Sequence, residues 1–197
     1  RQKLTKLEAE VKTEIQRICD EEDCKEYKLE DVCDINNNNI STKNRTLIIN
    51  YIDIKSTNNG IISNFQTLKL NNAPSRAKRI VQYGDIILGT VRPSQNHFAI
   101  IPKYINNPIV STAYAVISST KINNYLCYYQ VTDKIAIDYF VQMSEGSGYP
   151  AVGFDIIQKF KIKIPKDKSL LDDLQEDFDK IEEYQDKIKQ YEDEYNK

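Results

Sequence analysis

"RAKRIVQYGDIILGTVRPSQNHFAI", residues 76–100, holds a strand of buried type and a cluster of cations in one stretch. Gly84-Asp85 is a turn pair, and Ile86-Ile87-Leu88 through Val91 form an apolar, β-branched run of the kind found in strands. Arg76, Lys78 and Arg79 precede that run and Arg92 follows it. A second strand is expected over Phe98–Ile101, beyond the polar turn that starts at Pro93. A half-buried sheet with cations at both ends of one strand implies something anionic to meet them.

Working outward, Thr46–Ile54 and Ile61–Leu70 are strand candidates, with Asn58-Asn59-Gly60 as the turn between them. Ile109–Ile117 is expected to be one further strand. Leu126, Tyr129, Ile135, Tyr139 and Phe140 have helical spacing and predict two short helices within Asn123–Met143. Phe160, Ile162 and Ile164 alternate with Lys159, Lys161 and Lys163, which predicts a strand with one buried face, closed by Pro165. Asn36–Asn39 is expected in a loop.

The two ends follow another period. Leu4, Leu7, Val11, Ile15 and Ile18 recur in steps of three and four, as do Leu171, Leu174, Phe178, Ile181, Tyr184, Ile188, Tyr191 and Tyr195. Such spacing is the seam of helices that wrap one another. Packing on the domain itself is the plainer alternative, better suited to the first helix than to the second. A single helix over Leu170–Tyr195 would extend about 39 Å and overshoot a small domain. If the ends pair they run antiparallel, and Tyr191 and Tyr195 lie beyond the reach of the shorter first helix. The expected fold is therefore α+β: a mixed β-sheet domain over residues 25–166, flanked by helices over 1–24 and 167–197 that form an antiparallel coiled coil.

Charge divides along the same lines. Residues 1–24 carry a net −2 and residues 167–197 a net −7, whereas residues 25–166 hold 17 Lys/Arg against 10 Asp/Glu. The overall net charge of −2 conceals a basic centre that a polyanion would meet. An apolar fraction of 40% and a charged fraction of 28% describe a soluble globular chain. No apolar run is long enough to cross a bilayer, and the opening Arg1-Gln2-Lys3 has neither the character of a signal segment nor an initiating Met, as in a piece of a longer protein. Cys19, Cys24, Cys33 and Cys127 lack C-x-x-C spacing and read as reduced thiols in a cytoplasmic protein, with no metal site expected.

No nucleophile elbow, P-loop, H-E-x-x-H or glycine-rich dinucleotide loop is present, and His97 is the sole histidine. Asn106-Asn107-Pro108-Ile109 lacks the second proline and the aromatic ring of an adenine-methylating motif and reads as a turn. No catalytic residue is assigned.

Several stretches together resemble the target recognition domain of Type I restriction–modification specificity subunits. They are Pro74-Ser75-Arg76-Ala77-Lys78-Arg79, Gly84-Asp85-Ile86-Ile87 and Gly89-Thr90-Val91-Arg92-Pro93, then Ser111–Val116, Tyr125–Tyr129, Gly146-Ser147-Gly148-Tyr149-Pro150 and Ile162–Pro165. The match is co-linear over about residues 26–166. It implies a DNA-recognition module without chemistry of its own, which guides separate methyltransferase subunits, and in some systems an endonuclease subunit, to a site. S-adenosylmethionine would then be the partner's cofactor. The resemblance also implies that the end helices act as a ruler between half-sites, and Tyr191 and Tyr195, left without an intrachain partner, are expected to meet another copy of the chain or a helix of a parent protein. The chain departs from the family where Lys166-Asp167-Lys168 replaces a second proline pair, and in having one recognition domain where a full subunit has two.

Candidate contacts to double-stranded DNA follow. Arg76, Lys78, Arg79, Arg92, Lys43 and Arg45 supply cations for phosphates. Gln95, Asn96, His97 and Asn58 present groups suited to base edges, and Tyr149 can stack or hydrogen-bond on a glycine loop that approaches phosphate. Plainer readings stand beside these: Arg92 paired with Asp85, Gln95 and Asn96 as turn formers, Tyr149 as packing, and the lysines of 159–163 as a solvated face. Two other functions also fit the sequence. The chain is then either the recognition part of an enzyme whose catalytic half lies upstream, or a coiled-coil interaction module without DNA binding.

Overall fold

The apolar steps at the N-terminus form α1 (Gln2–Glu21), whose Val11, Ile15 and Ile18 are buried. The computed structural model describes residues 1–41 and 46–195 and divides into two units, Arg1–Tyr27 with Ile162–Lys197, and Lys28–Lys161. With elements numbered in chain order, the first unit also contains the two-stranded pair of β1 (Cys24–Lys28) and β12 (Lys161–Pro165), whose outermost residues touch the boundary. After it come α6 (Ser169–Asp172) and α7 (Gln175–Tyr195). The expected single C-terminal helix is thus broken before Gln175, and the remaining 21 residues extend about 32 Å. α1 and α7 lie head to tail, since Arg1 pairs with Glu192 and Gln185 donates to Glu8. Leu174, Phe178 and Ile181 are buried in this unit, as Val11, Ile15 and Ile18 are. Burial fades toward the C-terminal end of α7, where Tyr191 is 71% and Tyr195 96% exposed.

The second unit is built on two four-stranded sheets. One has the order β6 (Gln66–Lys69), β3 (Ile48–Ile52), β10 (Pro108–Ser111), β7 (Ala77–Ile80), with β10 parallel to β3 and the other pairs antiparallel. The other is fully antiparallel, in the order β2 (Cys33–Ile35), β11 (Tyr114–Ser119), β8 (Ile86–Gly89), β9 (Phe98–Ile100). Ile52, Ile87, Ala99, Val110, Tyr114 and Val116 meet in one core cluster, while Ile49, Tyr51, Ala77 and Ile109 form a second. Strand β10 therefore buries both faces, as does the carboxyl end of β3, while Ile48 at the start of β3 stays exposed. Such two-sided burial is why both read as near-continuous apolar runs, with successive side chains pointing to opposite clusters.

The expected strand over Ile109–Ile117 is two strands in different sheets. The chain turns at Thr112-Ala113, where the Ser111 hydroxyl accepts from the Ala113 N–H, after a bulge between Val110 and Ser111. No glycine or proline marks that turn, so the sequence offered no breaker there. The turn at Asn59-Gly60 is present with φ values of 45° and 85°, but it joins the two-residue strands β4 (Thr57–Asn58) and β5 (Ile61–Ile62). Strand β3 ends earlier than expected and pairs with β6. The two short helices α3 (Asn124–Val131) and α4 (Lys134–Gln142) are present, capped by Asn123 and Asp133 side chains that accept from N–H groups of their first turns.

Lys159 belongs to α5 (Phe154–Lys159) and not to a strand. The expected lysine row is also not uniformly solvated, because Lys163 donates to the Cys19 carbonyl at 3.0 Å and pairs with Asp20. All four cysteines are free thiols, and the buried Cys33 and Cys127 sulfurs lie 3.8 Å apart.

Candidate nucleic-acid interface

One rim of the second unit is formed by the carboxyl ends of β3, β8 and β10 and the amino ends of β7, β9 and β11. Backbone bonds tie its loops together. Thr112 N–H donates to Arg76 O, Thr90 N–H to Ala113 O, Val152 N–H to Thr90 O, and Arg92 N–H to Pro150 O. The turn after β8 closes tightly on the turn before β9. A Cβ on Gly89 would lie 2.9 Å from both Cβ and O of His97, so only glycine fits there.

A chain of side-chain bonds runs along this rim. Arg76 Nη2 donates to Asp53 Oδ2 at 2.6 Å and its Nε to the Tyr51 hydroxyl at 3.2 Å, and that hydroxyl donates to the same carboxylate oxygen at 3.1 Å. The bond to Tyr51 and the charge of Asp53 hold the guanidinium above its ordinary pKa. The buried Tyr114 donates to the Asp53 carbonyl at 2.9 Å and lies 2.7 Å from the Thr57 hydroxyl, with burial pushing its phenol upward. His97 Nδ1–H donates to the Thr57 carbonyl at 2.6 Å, and its Nε2 faces the Gln95 side-chain amide at 3.3 Å. Gln95 and Asn58 remain exposed at the tips of the two adjoining turns.

Arg92 does not pair with Asp85. Its backbone is left-handed (φ 50°) before Pro93, a conformation the residue preceding proline normally avoids. Its guanidinium donates to the Gly148 carbonyl at 3.0 Å and lies 4.4 Å from the Tyr149 ring centroid. Arg92 thus clamps the loop of Gly146–Pro150, while Tyr149 stays 74% exposed. Asp85 is buried at the opposite end of β8, where it accepts from the Gln82 N–H and the Ser118 hydroxyl. Burial raises its carboxyl above the usual range against those bonds. A cleft of about 300 Å³ opens at that far end, lined in part by Gln82, Asp85, Ser118 and Asn124.

Of the residues singled out in the sequence, the rim brings together Arg76, Arg92, Gln95, Asn96, His97, Asn58 and Tyr149. Lys78 and Arg79 lie farther along the edge strand β7. Lys78 is exposed, whereas Arg79 is half-buried, with its guanidinium 4.9 Å from the Phe154 ring centroid and its pKa lowered by burial. Lys43 and Arg45 fall outside the described residues. His97 spends both ring nitrogens inside the protein and serves the turn. Asp53, Tyr51 and Lys55 were missed from sequence. The available signal was two charged residues, Asp53 and Lys55, directly after an apolar strand.

The family model for the Type I restriction modification DNA specificity domain matches residues 21–195. The specificity subunit of the Type I restriction enzyme HindI, from Haemophilus influenzae, is 27% identical over 154 residues, which cover 73% of this chain and 32% of that protein. The chain thus spans about a third of that relative's length. Among solved structures, the HsdS subunit from Thermoanaerobacter tengcongensis is similar with a TM-score of 0.60 and 25% identity, over 72% of this chain and 38% of that one. A chain from work on complex assembly and conformational transition of the type I R-M system shares the fold. Its TM-score is 0.68 at 22% identity, covering 86% of this chain and 44% of that one. With 21–195 matched, the chain belongs to the Type I restriction modification DNA specificity domain family.

Proposed function

We propose that the rim is a double-stranded DNA interface and that the chain is the sequence-recognition module of a restriction–modification system. The observation that carries this reading is the gathering of Arg76, Gln95, Asn58 and the Arg92–Tyr149 clamp on one edge of two sheets, from segments scattered over more than ninety residues. Lys55, Lys78 and Arg79, with Lys43 and Arg45, fit phosphates, which position a protein without reading sequence. Gln95, Asn96 and Asn58 fit base edges. The chain performs no chemistry itself. Methyltransferase subunits, which bind S-adenosylmethionine, and an endonuclease subunit in a full restriction assembly would act where the module docks. Its place of action is the cytoplasm, and no described helix is long and apolar enough to cross a membrane.

The Lys55→Ala/Lys78→Ala double variant tests the interface. Anisotropy titrations across a salt series should show weaker binding to every duplex sequence alike. The slope of log K against log salt should flatten by about 0.9 for each phosphate that the variant no longer neutralises. A variant that keeps both the affinity and the slope of the parent would remove these cations from the interface.

α1 and α7 serve in this reading as an antiparallel coiled-coil ruler. The apolar period of α7 continues through Tyr191 and Tyr195 where burial has ended, which suits pairing with a second copy or with a helix of a longer parent protein. Two recognition units would then lie a fixed distance apart. Adding four residues to each helix should lengthen the ruler by about 6 Å. This is close to two base-pair steps of about 3.4 Å, so the unread gap between half-sites should widen by about two. Mapping methylated sites with the partner methyltransferase checks this, and an unchanged gap would rule the ruler out.

A further inference from the structure

The sequence assigns Arg76 to phosphate, along with Lys78 and Arg79. Its surroundings suit that role poorly. Both of its bonds, Nε to Tyr51 and Nη2 to Asp53, lie on one edge of the guanidinium. Asp53 is a fixed support, since its side chain is only 19% exposed and also accepts from the Tyr51 hydroxyl and the Lys55 N–H. The arginine side chain itself is 56% exposed. Holding the Nε–Nη2 edge leaves the end-on fork, one N–H from each Nη, and among the described residues no acceptor meets Nη1. A phosphate brought to that fork would face the Asp53 carboxylate, a like charge bonded to the same guanidinium. A neutral pair of acceptors would not.

We propose that Arg76 is a specificity-determining residue that reads a guanine through its end-on fork, with Asp53 and Tyr51 as positioning residues that aim it. Guanine is the base that presents two adjacent acceptors, N7 and O6, in the major groove. Adenine offers one acceptor and one donor there, thymine an acceptor and a methyl group, and cytosine a donor. A planar fork matches the guanine pair bidentately from a fixed direction, whereas a lysine ammonium is a point charge on a flexible stem that Tyr51 and Asp53 would not aim in the same way. The supports matter because a long exposed side chain otherwise loses rotamer freedom on binding. Tyr51 sits within a strand and Asp53 directly follows it, so the aim of the fork is set by the sheet. The same Asp53 connects through Tyr114, Thr57 and His97 to Gln95, which fixes the fork relative to the other candidate reader on the rim.

This assignment rests on the rim being a DNA interface, and the test separates the two. The full chain selects from a randomised duplex library. The parent should return a site with a guanine at which Arg76→Ala loses about 5- to 150-fold of discrimination, the equivalent of about 1–3 kcal/mol. Affinity for unrelated duplex should fall far less than affinity for that site. Arg76→Lys should not restore the preference, and Asp53→Asn should weaken it at that same position. Replacing that guanine by 7-deazaguanine removes one acceptor without touching the protein. It should lower binding by the parent and leave Arg76→Ala unaffected. Uniform loss across all sequences in Arg76→Ala, with a flatter salt slope, would overturn the assignment in favour of a phosphate contact while the DNA interface stands. A parent that binds no duplex even at low salt would overturn both.

Discussion

Phe178→Ala is expected to cost about 3–5 kcal/mol, the range for removing a large aromatic side chain from a packed interior. Phe178 is buried in the first unit, as are Leu174 and Ile181 on the same helix and Val11, Ile15 and Ile18 on α1. Neither helix carries much stability of its own. Both are rich in charged residues, and their surface ion pairs, such as Arg17 with Glu14 and Glu21, contribute little each. Helices of this length in water depend mainly on burying an apolar face. At about 2–4 °C per kcal/mol for a chain of this size, the thermal midpoint should fall by about 6–20 °C. Hydrogen exchange should rise in residues 1–27 and 162–195. A loss below about 1 kcal/mol with unchanged exchange in both helices would mean that this face does not hold the pair together.

Phe140→Ala should be comparably costly, at about 3–5 kcal/mol, and should also damage recognition. Phe140 is buried, with ring centroids 5.1 Å from Phe160 and 5.8 Å from Tyr139. It supports two parts of the rim at once. Its carbonyl accepts from the Ser144 hydroxyl, just before the loop that Glu145 and Ala151 close with two backbone bonds. Its helix α4 also packs against the turn at Pro93–Gln95. At a temperature where the variant remains folded, discrimination between sequences should fall more than affinity for unrelated duplex. Phe140→Leu keeps most of the volume and should cost far less. Equal thermal midpoints for the parent and the alanine variant would remove this cluster from the account of the rim.

Much of the architecture was legible because it is written in local periodicity. Steps of three and four along the ends became α1 and α7, and the Asn59-Gly60 pair became a turn with positive φ at both residues. Asn123 and Asp133 became helix caps. The errors arose where local chemistry was silent. Ser111-Thr112-Ala113 has no breaker residue, so a change of sheet was read as one strand. Lys159 fitted an alternating pattern and yet closes a helix, with Asp155 in its first turn and Lys159 in its last, both favourable to the helix dipole.

The sequence by itself determined the mixed helix-and-sheet character, the basic centre between acidic ends, the helices at both ends and the motif order of the family. What each cation does was decided only by tertiary structure. Arg76 meets Asp53 across 23 residues of chain and Arg92 meets Gly148 across 56. Those partners become neighbours because β10 lies between β3 and β7 in one sheet, and because the segment after β8 bridges at Val91 to Ala151. Strand order is set by how the two buried clusters close, a property of the whole chain, so no local pattern around an arginine reveals which edge of it remains available.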